Sequence, residues 1–191
     1  MSDPERWHFL LQIPGLCRVM FPVAPHESDE LAVSGDFAQS LMATVVPGVS
    51  NYDVAHVTLY KVHQRVAKTF QCGRAFLAGD AAHINNPLGG MGMNGGIHDA
   101  VNVAEKLVEI IRKGADDSLL DLYDRQRRPI AVEYVQAQSI RNKKMMEERD
   151  PAVRAERQAE LRAVADDRDK TIALLRQTSM VNAVEKSATL I

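Results

Sequence analysis

Asp80 and His83 close a short apolar run, Gly73-Arg74-Ala75-Phe76-Leu77-Ala78-Gly79, and Pro87, Gly89, Gly90, Met91, Gly92, Met93, Asn94, Gly95 and Gly96 follow. A carboxylate at the carboxyl end of a strand is placed to accept hydrogen bonds from ligand hydroxyls, because ligands of open α/β sheets bind there. Five of the chain's eleven glycines fall between Gly89 and Gly96, and backbone without Cβ atoms lets a flat or phosphorylated ligand come close. The helix predicted to start near Asn94 to Ile97 adds a partial positive charge, about 0.3–2 kcal/mol to an anion depending on burial. The run is not a Walker loop, since no Gly-Lys-Ser/Thr closes it, and it matches G-x-G-x-x-G only with a one-residue shift. Plainer roles stand beside these: Asp80 as the cap of a turn, His83 as a packed histidine, Met91 and Met93 as packing residues. Asp80 and His83 have no third ligand nearby, so no metal is expected.

The elements that must position these groups follow from periodicity. Residues 7–12 and 17–23 read as strands of an antiparallel hairpin around Pro14-Gly15. Residues 29–46 read as a helix that Pro47-Gly48 ends, and 54–66 as a further strand. Ala75 to Ala78 is short, apolar throughout and bounded by glycines, which suits a central strand of a parallel sheet covered on both faces. Ile97, Ala100, Val101, Ala104, Leu107, Val108 and Ile111 recur at helical spacing up to a C-capping Gly114, with Asp99 in the first turn. Helices are expected over 119–128 and 130–149, with Pro129 at a start or kink, then over 151–165 and 167–177, and the last ten residues are expected to fray. The fold class is α/β with mixed α+β character.

At 191 residues, 46% apolar and 25% charged, the chain can build a core. A net charge of -2 gives no reason to expect nucleic acid, and no apolar run approaches the roughly 18 residues of a membrane span. Cys17 and Cys72 are too few for a disulfide framework or zinc site. With no signal pattern at the start, a cytoplasmic location is expected. Arg141, Lys143 and Lys144 with Glu147 and Glu148 read as a solvated helix face.

The stretch GRAFLAGDAAH, then P-x-G-G-x-G-M-N and I-x-D-A-x-N-x-A-x-K-L, resembles the second flavin-binding motif of class A flavoprotein monooxygenases, the aromatic hydroxylases related to para-hydroxybenzoate hydroxylase. The matched core runs from about Gly73 to Leu107. Weaker similarity, including Gln64 to Ala67 and Leu122-Tyr123 with Arg127-Arg128-Pro129, extends it to roughly Cys17 to Ile140. The resemblance implies that FAD is the cofactor. Gly79 and Asp80 would lie at its ribityl chain, Pro87 beside the flavin edge where oxygen reacts, and Gly89, Gly90, Met91, Gly92, Met93 and Asn94 at the pyrimidine end of the ring. It places Arg18 near flavin and substrate, although Arg18 could equally pair with a surface carboxylate. The implied reaction uses NAD(P)H to reduce FAD and transfers one atom of O2 to a small aromatic substrate, with no protein nucleophile or acid–base residue assigned. Regions follow accordingly: 1–70 a partial substrate-binding region, 71–115 the flavin strand–loop–helix, and 116–191 a helical region.

One departure shapes the expectation. The family's first FAD motif, strand–G-x-G-x-x-G–helix, is absent from this sequence, as is its second Asp-Gly segment. A partial FAD/NAD(P)-binding fold, with part of an antiparallel substrate-domain sheet and a C-terminal helical tail, is therefore expected. Its partner is a missing N-terminal dinucleotide-binding half or a second copy in a homodimer. The competing readings are a truncated paralogue, or one half of a split flavoprotein, that does not bind FAD alone, and a flavin oxidoreductase of another kind, geranylgeranyl reductase-like or halogenase-like. The methionine-asparagine loop and the Arg-Arg-Pro helix favour hydroxylases over the last.

Overall fold

The computed structural model describes residues 6–191, which fall into two compact units, Met1–Lys61 and Val62–Ile191. In the first, β1 (Phe9–Ile13) pairs antiparallel with β2 (Leu16–Met20), Phe9 opposite Met20 and Ile13 opposite Leu16. Gly15, at φ 77, makes the turn. The expected single helix over 29–46 is two, α1 (Asp29–Ala32) and α2 (Gly35–Val45). Each starts at its own serine: Ser28 Oγ accepts from Leu31 N–H at 3.2 Å and Ser34 Oγ from Phe37 N–H at 3.3 Å. The expected strand over 54–66 is irregular except for β3 (Arg65–Val66). Just before it, the Tyr52 backbone takes the bonds a neighbouring strand would supply from the Gln39 amide, at 2.8 and 2.9 Å.

In the second unit β3 pairs with β6 (His83–Ile84), and β4 (Gln71–Cys72) pairs with β5 (Ala75–Phe76), both antiparallel. The central parallel strand expected over 75–78 is not formed. Gly73, at φ 56, turns the chain back at once, so β5 spends its backbone bonds on a local hairpin, and Leu77 N–H donates to Phe70 O at 2.9 Å. Leu77 stays 39% exposed. A two-residue strand in a hairpin has neither the parallel neighbours nor the two covered faces that the apolar run suggested.

Helix α3 (Met91–Lys113) begins earlier than expected, with Gly90 at φ 64 before it and Gly114 at φ 73 after it. Most of the glycine-rich stretch is therefore helix. Three of its glycines answer to the protein itself: a Cβ on Gly96 would sit 2.9 Å from the Gly79 Cα, one on Gly92 2.7 Å from the Asn85 side chain, and one on Gly95 3.2 Å from the His83 ring. Bare backbone lets α3 press onto the Gly79 turn, and that contact outweighs the roughly 1 kcal/mol helix-propensity cost of each glycine.

Helix α4 (Asp121–Ile130) carries Pro129 inside it, and one wide π-type segment (Ala131–Gln136) leads into α5 (Ala137–Met146). A proline withholds one N–H and crowds the preceding turn, which suits a locally expanded helix. Two adjoining clusters make the core: Phe70, Ala82, Tyr123 and Ala131 in one, Met91, Ile130, Val135, Met180 and Ala183 in the other. The Tyr123 hydroxyl donates to Leu77 O at 2.6 Å. Beyond α6 (Pro151–Ala165) and α7 (Arg168–Thr178), the end does not fray: α8 (Val181–Thr189) buries Ala183 and Ser187. Gln126 fixes it, accepting from Ser187 Oγ at 3.2 Å on its carbonyl and donating from its side chain to Leu190 O at 2.9 Å. Among the described residues no helix is long and apolar enough to cross a membrane.

The α3–Gly79 contact sets a first prediction. Gly96→Ala puts a methyl against backbone that cannot rotate away. Urea unfolding should show a loss of about 1–3 kcal/mol, despite alanine's better helix propensity. A gain in stability would mean that the two backbones are not in contact.

Candidate functional site

Asp80 sits in a single tight turn, Gly79–Ala81, entered through Gly79 at φ 60. It is exposed, and its carboxylate caps neither that turn nor, among the described residues, any other donor. Beside it α3 begins without a side-chain cap and with no acidic residue in its first turn. The N–H groups of Met91, Gly92 and Met93 have no hydrogen-bond partner among the described residues. Three unpaired amides at the start of a long helix form a patch of partial positive charge that favours an anionic or carbonyl-bearing ligand. Pro87, Gly89, Gly90, Met93 and Asn94 are exposed there, while Met91 is buried against Ile130 and Val135 and so serves packing. The Asn94 side chain donates to Gly90 O at 3.4 Å.

A buried charge cluster behind the turn holds it. Asp99, two turns into α3, is 1% exposed, deep in the helix and not in the first turn where it was expected. Its Oδ2 accepts from Gly79 N–H at 3.3 Å and lies 2.7 Å from His83 Nε2, while its Oδ1 accepts from Arg127 Nε at 2.7 Å. Arg127 also donates to Gly95 O at 3.4 Å. Burial pushes the Asp99 carboxyl up, but the hydrogen bonds from His83 and Arg127 and their charges outweigh it and hold it below the usual carboxylate range. His83 is thus a packed histidine turned toward Asp99, stacked on Phe70 with ring centroids 5.9 Å apart, and its buried Nδ1 has no partner.

Neither Asp99 nor Arg127 announced this role. A lone Asp in an amphipathic helix reads as solvated, and only the preceding His83 and the Arg-Arg-Pro segment hinted at partners for it. Asn86 and Asn142, which bind the Pro87 turn, carried no signal of their own. Arg18 lies exposed on β2 in the first unit, and its side chain makes no hydrogen bond or ion pair among the described residues.

The cluster makes stability depend on pH. The folded Asp99 carboxyl titrates below its unfolded value of 3.8, so its contribution is complete above that value and is lost as pH falls through the lower folded value. Asp99→Asn leaves Arg127 buried without its counter-charge and should cost about 3–5 kcal/mol at neutral pH. It should also flatten the acid limb of the stability profile in urea titrations across pH. An unchanged acid limb would show that another carboxylate governs acid unfolding.

A family model described as an FAD binding domain matches residues 16–139. A para-nitrophenol 4-monooxygenase of Pseudomonas sp. (strain WBC-3) is 37% identical over 182 residues, 93% of this chain and 44% of that protein. A 3-(3-hydroxy-phenyl)propionate/3-hydroxycinnamic acid hydroxylase of Mycobacterium avium (strain 104) is 41% identical over 128 residues, 66% of this chain and 22% of that protein. The crystal structure of p-nitrophenol 4-monooxygenase PnpA from Pseudomonas putida DLL-E4 superposes with a TM-score of 0.80 at 32% identity, covering 97% of this chain and 47% of that one. The chain thus spans less than half the length of these relatives. The matched segment takes in the Asp80 turn, the free amides of α3 and the Asp99 cluster, and the chain belongs to the FAD-dependent aromatic monooxygenase family, as part of its FAD binding domain.

Proposed function

We propose that this chain forms the flavin-ring half of the FAD site of a monooxygenase that hydroxylates a small aromatic substrate with NAD(P)H and O2. The observation that carries this reading is a free Asp80 carboxylate together with three unpaired amides, Met91 to Met93, at the start of the helix that packs on the Gly79 turn. The donor set fits a flavin. Asp80 would accept from ribityl hydroxyls, and the α3 amides would donate to the carbonyl and nitrogen acceptors of the pyrimidine end of the ring. The helix start favours negative charge there, which is where a reduced ring carries it. Pro87 would lie along the ring edge without a side-chain donor to compete, and Gly89 toward the pyrimidine end. The chemistry supplied by bound FAD is hydride acceptance from NAD(P)H and transfer of one oxygen atom from O2 to an electron-rich ring. The chain's own residues bind, orient and exclude water; none is assigned to move a proton.

A second reading, that the chain alone does not hold FAD, is favoured by the absence of a G-x-G-x-x-G segment for the ADP moiety from its sequence. One experiment separates the two. The 191-residue chain is titrated with FAD alone and when complemented with an N-terminal dinucleotide-binding half, and flavin absorbance and fluorescence quenching are recorded. Binding by the complemented form only supports the split-site reading. Binding by neither, with both folded, overturns the flavin function. In the form that binds, Asp80→Ala should weaken FAD affinity roughly tenfold or more, the scale of one hydrogen bond to a charged group. Unchanged affinity would remove Asp80 from the site.

A further inference from the structure

The turn that leads into the free amides of α3 is held by side chains at a single residue. Leu88 N–H donates to Asn86 Oδ1 at 3.1 Å, and Leu88 O accepts from Asn142 Nδ2 at 3.1 Å. The turn closes on itself through Gly90 N–H to Pro87 O at 3.1 Å. Both side chains are braced in their turn. Asn86 is 6% exposed and donates to Gln64 Oε1 at 2.9 Å and to Ser139 O at 3.3 Å. Asn142 accepts from Gln138 Nε2 at 2.9 Å.

These braces rest on the helix after the π-type segment. Ser139 Oγ donates to Val135 O at 2.7 Å, and Gln64 Nε2 donates to Gln136 O at 3.1 Å, so the widened turns lend their carbonyls to the network. Gly89 leaves the room: at φ 114, a Cβ on it would sit 2.7 Å from Asn142 Nδ2 and block the reach to Leu88. Both backbone groups of Leu88 are thereby occupied, while the amides that follow, from Met91 to Met93, stay free.

We propose that Asn142 and Asn86 are positioning residues that clamp the Pro87–Gly90 turn from both sides at Leu88 and so set where the free α3 amides stand for a flavin ring. The flavin part of this rests on the function proposed above; the clamp itself does not. The clamp makes Pro87 and the amide patch a single preorganised surface, and preorganisation lowers the ordering cost of binding.

Amide hydrogen exchange on the full 191-residue chain, without flavin, tests the clamp. Asn142→Ala should raise exchange at Leu88 and Gly90, the two hydrogen-bonded amides of the turn, roughly fivefold, the factor of one net hydrogen bond, with the thermal midpoint and the exchange of α3 beyond Asn102 little changed. Asn142→Asp keeps the shape and the acceptor for Gln138 but lacks the donor to Leu88 O, and should act alike. Unchanged exchange at Leu88 and Gly90 in both variants overturns the clamp. Loosening spread through the whole unit in both overturns the positioning role in favour of a general structural one. In the form that binds FAD, the dissociation constant should rise by a similar factor. A loosened turn with unchanged FAD affinity overturns the flavin part of the proposal. If the wild type binds no FAD in either form, the function proposed above fails and takes the flavin part with it, while the exchange result still decides the clamp.

Discussion

One buried carboxylate holds the second unit in register. Asp99 takes bonds from the backbone of the Gly79 turn, from the His83 ring on β6 and from the Arg127 guanidinium on α4. Three elements distant in sequence meet on its two oxygens. A carboxylate taken out of water is costly, and the cost is offset only when its lone pairs are filled and its charge is balanced. Asp99 satisfies both conditions, and the geometry that satisfies them allows little play. The position of Asp80, one residue past Gly79, is a consequence of that balance.

The glycines serve the same end from the other direction. Helix α3 can lie against Gly79 only because Gly96 has no side chain there, while Gly92 and Gly95 make room for Asn85 and the His83 ring. Helix propensity is sacrificed in the first turns, and the close approach packs the helix onto the turn that carries the exposed Asp80. A glycine cluster that looks like ligand space is thus partly protein-on-protein contact.

The expanded segment after Pro129 links packing to the site. Val135 lies in the core with Met91, while the carbonyls of Val135 and Gln136 accept the side chains of Ser139 and Gln64. One stretch of chain therefore supports the first residue of α3 by apolar contact and the turn before it through the amide network. Stability and site geometry draw on the same residues here, which is why sequence patterns of core and of site overlap between Gly73 and Ser139.

The hairpin turn at Pro14-Gly15, the Gly114 cap and the long helix before it could all be read from local patterns, because turns, caps and helical periodicity are decided within a few residues. The motif between Gly73 and Leu107 was long enough to carry the family as well. Tertiary structure alone decided the rest. Ala75 to Phe76 became half of a hairpin because a positive-φ glycine returned the chain before any parallel neighbour could pair with it. The tail helix α8 ordered because Gln126 offered its final carbonyl a partner. Asp99, Asn86 and Asn142 acquired their roles from partners as many as 54 positions away, as with Asn142 and Leu88. Burial and hydrogen-bond satisfaction are properties of the assembled fold, and no local pattern in the sequence encodes which distant donor will fill a given lone pair.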